Sequence, residues 1–152
     1  MAQAKTSAAQ VVPFRLAKIQ TMQFAIIESS FSSDMDVEIS QQFNFSIDTD
    51  TQQVAVAPHY TFFQKNPFVI IEVQCIFSIP GPFWKKWMNV QEGVFTLPKN
   101  VATHMAVLSV GTTRGVLHAK TEGTLFNMYV LPTWNLAEII KDDWVVQVQI
   151  AQ

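Results

Sequence analysis

Val37-Glu38-Ile39-Ser40-Gln41-Gln42-Phe43-Asn44-Phe45-Ser46-Ile47-Asp48 is the stretch that decides the fold class. Val37, Ile39, Phe43, Phe45 and Ile47 alternate with Glu38, Ser40, Gln42, Asn44, Ser46 and Asp48, and a period of two sends the two sets to opposite faces of an extended chain. Such a segment is an antiparallel strand with one buried face and one wet face, which predicts Phe43, Phe45 and Ile47 in the core. After a short hairpin link at 48–53, residues 54–63 and 68–79 read as two further strands parted by Lys65, Asn66 and Pro67. Upstream, Phe14, Leu16, Ile19, Phe24 and Ile26 recur at roughly the same period and predict a long first strand over 14–27, bulged near 18–20, with 31–36 a polar turn. Four consecutive strands on short links imply an antiparallel sheet.

Downstream the pattern changes. Pro80, Gly81 and Pro82 end the sheet, and 83–95 reads as an irregular loop loaded with Phe83, Trp84, Trp87, Met88 and Phe95. From Asn100 the period is helical, with Val101, Met105, Leu108, Thr112, Gly115 or Val116 and Ala119 three or four apart, until Gly123 supplies a stop. Gly111 and Gly115 on that helix would let another helix or sheet approach closely, which marks them as an expected oligomer contact. Residues 125–132 are read as extended, Asn135 as the cap of a short helix over 136–141, and 145–150 as a final strand. The fold class is therefore α+β: a four-stranded antiparallel sheet, then a long helix and a short C-terminal helix. A single domain over 13–152 is expected, after a disordered N-terminal segment at 1–12.

Only 14% of the 152 residues are charged, against 49% hydrophobic and twelve phenylalanines, where soluble domains ordinarily carry roughly 25% charged residues. A chain so short of charge has to hide surface in an oligomer, offer it to apolar partners, or associate with itself. Its net charge of -2 and lack of a basic cluster, Lys85 and Lys86 being the only close pair, remove the footprint that nucleic acid or anionic lipid would require. No stretch approaches a membrane span in length, and 1–10 lacks the positive start and apolar run of a signal peptide, so a cytoplasmic protein with no membrane insertion is expected. The lone Cys75 allows neither an internal disulfide nor a multi-cysteine metal site.

Candidate chemistry is sparse. His104 and His118 stand about 21 Å apart along the predicted helix, too far to share a metal, and His59 has no ligand partner at a useful spacing. Cys75 has no histidine identifiable as its base and reads as a buried, inert thiol. Gly111-Thr112-Thr113-Arg114-Gly115 looks like a phosphate loop but lacks its lysine and spacing, so it is placed inside the helix. Asp34, Asp36 and Glu38, and later Asp142 and Asp143, read as solvated edges without calcium-loop spacing or an apolar pocket. No nucleophile, base, metal or cofactor site emerges, and an enzyme is not expected. The aromatic segment 83–95 has two readings: a lid on the domain's own core, or the wall of a groove that binds apolar segments of other polypeptides.

Several short motifs resemble one family. Glu72-Val73-Gln74, then Ile76-Phe77-Ser78-Ile79 and Gly81, resemble the sheet-ending motif of the bacterial export chaperone SecB. Gly123-Thr124, the run to Leu131-Pro132, and Asn135 are similar to that family's residues ahead of its second helix, and Phe14-Arg15-Leu16-Ala17-Lys18-Ile19 to its opening strand. The resemblance spans 13–141 and implies a SecB-like protomer assembled as a homotetramer (dimer of dimers) or homodimer. It also implies an ATP-independent holdase for unfolded or precursor polypeptides, handed to the SecA motor.

Within that resemblance, Phe24, Ile26, Phe31, Phe83, Trp84, Trp87 and Met88 are the expected client-binding residues. Glu72 is the SecA-docking residue retained, whereas Gln23 and Ile27 stand where the docking face tends to be acidic, and 144–150 reads as a strand rather than the usual flexible tail. The alternative function is a dedicated interaction protein or chaperone for one partner, such as a toxin-linked antitoxin, as some SecB-like proteins are.

Overall fold

The structure, a computed structural model, describes residues 12–149; residues 1–11 of the expected disordered segment, and Ile150 of the expected last strand, lie outside the described residues. Four long strands follow in sequence: β1 (Arg15–Ile26), β2 (Glu38–Asp48), β3 (Gln53–Phe63) and β4 (Pro67–Ser78). They pair antiparallel in the order β1-β4-β3-β2. The β2–β3 link is an Asx turn, the Asp48 carboxylate accepting the Asp50 and Thr51 N–H groups at 3.0 and 3.2 Å. β1 slips register twice, between Leu16 and Lys18 and between Thr21 and Gln23, where one bulge near 18–20 was expected.

One face of this sheet is apolar. On β3 and β4 the fully buried Val54, Val56, Tyr60, Phe62, Val69, Ile71, Val73, Cys75 and Phe77 form it, in pairs such as Val54 opposite Phe77 and Val56 opposite Cys75. The opposite face carries Asn44, His59, Glu72 and Gln74. On β2 the alternation is as expected, but Ile39, Phe43, Phe45 and Ile47 are half-buried rather than buried. The physical reason is position: β2 is an edge strand, packed from one side only.

The long helix α2 (Lys99–Thr121) lies across β3 and β4. It buries Val101, Ala102, Met105, Ala106, Val110 and Leu117 together with Ser109, Thr113 and Thr121. Each of these three hydroxyls donates to the carbonyl one turn back, on Met105, Ser109 and Leu117, at 2.7–2.8 Å. A small side chain so satisfied can face a sheet closely without a desolvation penalty. Gly123 adopts φ +77°, which ends the helix as expected.

Two segments depart from the expected outline. The stretch 83–95 is not an irregular loop: it starts as a short helix α1 (Gly81–Trp87), with Pro82 in its first turn where a missing N–H costs nothing. It then forms a hairpin of β5 (Met88–Asn89) and β6 (Val94–Leu97), turned at Gly93 with φ +64°. The stretch 125–132 is extended only from Tyr129 onward. Thr124 accepts the Phe126 N–H and starts a 3-10 turn over Leu125–Met128. After the short helix α3 (Leu136–Ile139), capped by Asn135 as expected, β7 (Trp144–Gln147) pairs with β6 to complete a second sheet of order β5-β6-β7.

Phe77 is fully buried and Phe45 sits on an edge, so their truncation should differ. Phe77→Ala should lower the unfolding free energy by about 3–5 kcal/mol and Phe45→Ala by clearly less, as read from urea denaturation. Equal losses would mean that the rim of β2 is covered as fully as the centre of the sheet.

Candidate functional site

The apolar side of the main sheet carries two aromatic clusters, one at each end of α2. The first buries Phe14, Phe77, Trp84, Trp87 and Phe95 beneath the helix N-terminal half, with Val101 and Met105. Trp84 stacks at a tilt on Phe95 with ring centres 4.8 Å apart, and Phe83 lies 5.7 Å from Trp87. Its half-buried rim is Phe43, Phe45, Phe83, Met88, Trp144, Val146 and Val148. The second buries Tyr60, Phe62, Phe68, Phe126, Leu131 and Leu136, rimmed by Phe24, Ile26, Phe31, Tyr129 and Trp134. There Phe31 contacts Phe68 at 5.0 Å and Phe126 at 5.2 Å, and Trp134 stacks nearly parallel on Tyr60 at 5.3 Å.

The seven expected client-binding residues are thus divided between the clusters. Phe24, Ile26 and Phe31 rim the second; Phe83, Trp84, Trp87 and Met88 belong to the first. Strand direction explains the split. β1 runs antiparallel to β4, with Phe24 opposite Ile71 and Arg15 opposite Ser78, so α1, which follows β4, lies at the Arg15 end. Ile71 and Ile79 are eight residues apart on an extended chain, or about 27 Å. The two groups are therefore set apart along the length of the sheet. Trp84 and Trp87 are also buried, at 6% and 8% exposure, so they face the protein's own core, while Phe83 and Met88 remain half-buried.

The segment after α2 is held by one residue that sequence reasoning passed over. Arg114 donates from Nε to the Leu131 carbonyl at 3.0 Å and from Nη2 to the Pro132 carbonyl at 2.9 Å. It clamps the extended chain against the helix and leaves a cavity of about 390 Å³ beside Gly111, Gly115, His118, Asn127 and Tyr129. Gly111-Thr112-Thr113-Arg114-Gly115 is inside the helix, as expected. No local signal in the sequence names the two carbonyls as partners. Gly111 and Gly115 are exposed, and a methyl group built on either meets nothing within 4 Å. Near them Val107 is 50% and Leu108 38% exposed, and on the neighbouring edge strand Leu16 and Ile19 are 40% and 49% exposed.

Glu72 lies on the other side of the sheet, half-buried. It accepts a hydrogen bond from the Asn44 amide at 3.2 Å and pairs with His59 Nδ1 at 3.6 Å. His118 pairs with Glu122 at 3.2 Å, and His104 packs edge-on against Phe14. Among the described residues no three His, Cys, Asp or Glu side chains converge on a point where a metal could sit, and no helix is long and apolar enough to cross a membrane. Cys75 is wholly buried; burial pushes its thiol pKa up, with the neighbouring Ser109 and Thr112 hydroxyls acting weakly the other way. Burial likewise pushes the Tyr60 hydroxyl up, against the Arg114 charge, and that hydroxyl donates to Gln41 Oε1 at 2.7 Å.

No protein-family model matches the chain, and no curated protein matches it. Among solved structures, the fold is similar to that of the SecB-like chaperone of Mycobacterium tuberculosis in complex with a ChAD peptide from the HigA1 antitoxin. The TM-score is 0.51 at 10% sequence identity, covering 80% of this chain and 91% of that one. The likeness is one of fold.

A thiol kept neutral by the fold and free to ionise once unfolded weakens the fold as pH rises. Its contribution is intact below its ordinary value of 9.0 and is lost progressively above it, at up to about 1.4 kcal/mol per pH unit. Native Cys75 should therefore react with a thiol reagent no faster than the chain unfolds, with the rate climbing steeply above pH 9; rapid labelling at pH 7 would show an accessible thiol instead.

Proposed function

We propose that this chain is a chaperone-like polypeptide-binding protein, a holdase that keeps extended apolar segments of non-native chains in solution without nucleotide or covalent chemistry. The observation that carries this reading is the apolar surface left open on a charge-poor protein: two aromatic clusters with half-buried rims, and exposed Leu16, Ile19, Met22, Val90 and Met128 around them. Burying such surface against a client contributes roughly 25 cal/mol per Å² before ordering costs. In this reading Phe24, Ile26 and Phe31 bind client side chains at one end and Phe83 and Met88 at the other, with Trp84 and Trp87 as the buried backing. The similar fold of a chaperone solved with a peptide supports it.

The same neighbour favours a second reading, because its peptide comes from an antitoxin. A dedicated chaperone for one partner needs the same apolar rims and fits at least as well. Export in the cytoplasm, with delivery to SecA, is the narrower form of the first reading and rests on Glu72, whose carboxylate is already engaged by Asn44 and His59. Self-assembly to a homotetramer or homodimer would use the exposed stripe of Gly111 and Gly115 and the neighbouring edge of β1.

Diluting a denatured test protein into buffer with this chain should suppress the rise in light scattering at near-equimolar ratio; unchanged aggregation would refute the holdase reading, and suppression confined to a single partner would select the dedicated one. The assembly has its own test. Alanine at both Gly111 and Gly115 fits the protomer without clash and should raise helix stability by about 1 kcal/mol per site, while sedimentation shows a smaller assembly. A double variant of unchanged mass would place the subunit contact elsewhere.

A further inference from the structure

The C-terminal strand is seated on the protein in the way a client would be. β7 and the residues after it form an extended segment whose alternate side chains Trp144, Val146 and Val148 turn into the rim of the first cluster, while Val145, at 59% exposure, points to solvent. Trp144 lies 5.6 Å from the Phe45 ring and 6.5 Å from Phe95. The backbone adds to the free edge of β6, Val146 opposite Phe95, and the Val148 N–H donates to the Gly93 carbonyl at 2.8 Å. The surface beneath is therefore shaped for an uncharged, extended polypeptide with large apolar side chains two residues apart, held by main-chain hydrogen bonds.

The hold on this strand is light. It is four residues long, has one neighbour in a three-stranded sheet, and its inward side chains are only half-buried. Short edge elements with few buried contacts occupy the low end of local stability. Just before the strand stands a latch: Asp143 Oδ1 accepts the Lys99 N–H at 2.7 Å. Pro98, the residue at the helix start, has no side chain with which to cap α2, so the cap comes from a carboxylate 44 positions away, where the helix dipole favours negative charge.

We propose that residues 144–149 are a built-in occupant of a polypeptide-binding site, which a client segment of matching pattern displaces from β6 and the Phe45–Phe95 rim, and that Asp143 sets how readily the strand leaves. This rests on the holdase reading and deepens it: the occupied edge adjoins Phe83 and Met88 on the same rim and adds β6, Phe45 and Phe95 to the residues assigned to clients above.

The test uses the full chain and two variants, Asp143→Ala and Trp144→Ala, with two probes: a reduced, permanently unfolded protein, and a fluorescein-labelled peptide of sequence 144–149. Saturation with the unfolded protein should speed exchange of the Val148 amide at least tenfold. Both variants should bind the labelled peptide at least fivefold more tightly than the parent, with circular dichroism and mass unchanged. Should Asp143→Ala disturb the helix, Trp144→Ala leaves the cap intact and decides between the outcomes. Client binding with Val148 exchange unaltered and with no gain in the variants overturns the proposal and leaves the holdase reading standing. A gain in mass alone, with a second copy taking the vacated edge, also overturns it. No binding of unfolded protein by the parent or either variant overturns both.

Discussion

One helix cannot cover four strands. Strands lie about 4.8 Å apart, so a four-stranded sheet presents a face about 19 Å wide, whereas a helix with its side chains is about 10–12 Å across. α2 resolves this by lying over β3 and β4, the two central strands, whose side chains there are almost completely hidden. The apolar sides of β1 and β2 must then be covered by something else. On β2 part of the task falls to Trp144, which packs on Phe45, and Phe43, Phe45 and Ile47 are left half-buried. On β1 only Phe24 and Ile26 find partners, in the second cluster, and Leu16 and Ile19 remain exposed.

The same geometry explains the composition. α2 carries no Lys, Arg, Asp or Glu between Lys99 and Arg114, and Val107 and Leu108 on its flank are exposed. Arg114, the one charge in the middle of its length, is turned to structural use, its guanidinium fork spanning two successive carbonyls of a segment with no strand to satisfy them. Carbonyls outside a ladder need such a donor when half-buried. The aromatic residues are consequently positioned by three different devices: a sheet, a helix and a clamped extended strand.

How much of this was legible in the sequence depended on the range of the interaction. Alternation along 37–48 and helical spacing from Asn100 to Gly123 are local signals, and both elements stand where those signals put them. α1 escaped because seven residues carry too little periodicity to register, and the β5–β6 hairpin because its strands are two and four residues long. The division of the aromatic residues was legible in principle. Antiparallel pairing of β1 with β4 sends Phe24 and Trp84 to opposite ends, but grouping by residue type ignored strand direction. The contact of Asp143 with Lys99 was not legible at all, since a solvated carboxylate and a helix cap look alike until the fold brings position 143 to position 99.

That cap joins a short edge strand to the most deeply packed helix, and the joint limits how strongly the two can influence each other. A carboxylate cap contributes about 0.5–2 kcal/mol to a helix, and every 1.4 kcal/mol is a factor of ten in an equilibrium. Events at β7 can thus shift the fraying of the first turn of α2 by about twofold to thirtyfold and no more. The rest of the helix is insulated by the burial of Met105, Ala106, Ser109 and Val110 on the sheet. In the displacement proposed above, opening at the small sheet breaks the Trp144 contacts with Phe45 and Phe95 while β3 and β4 stay buried under the helix.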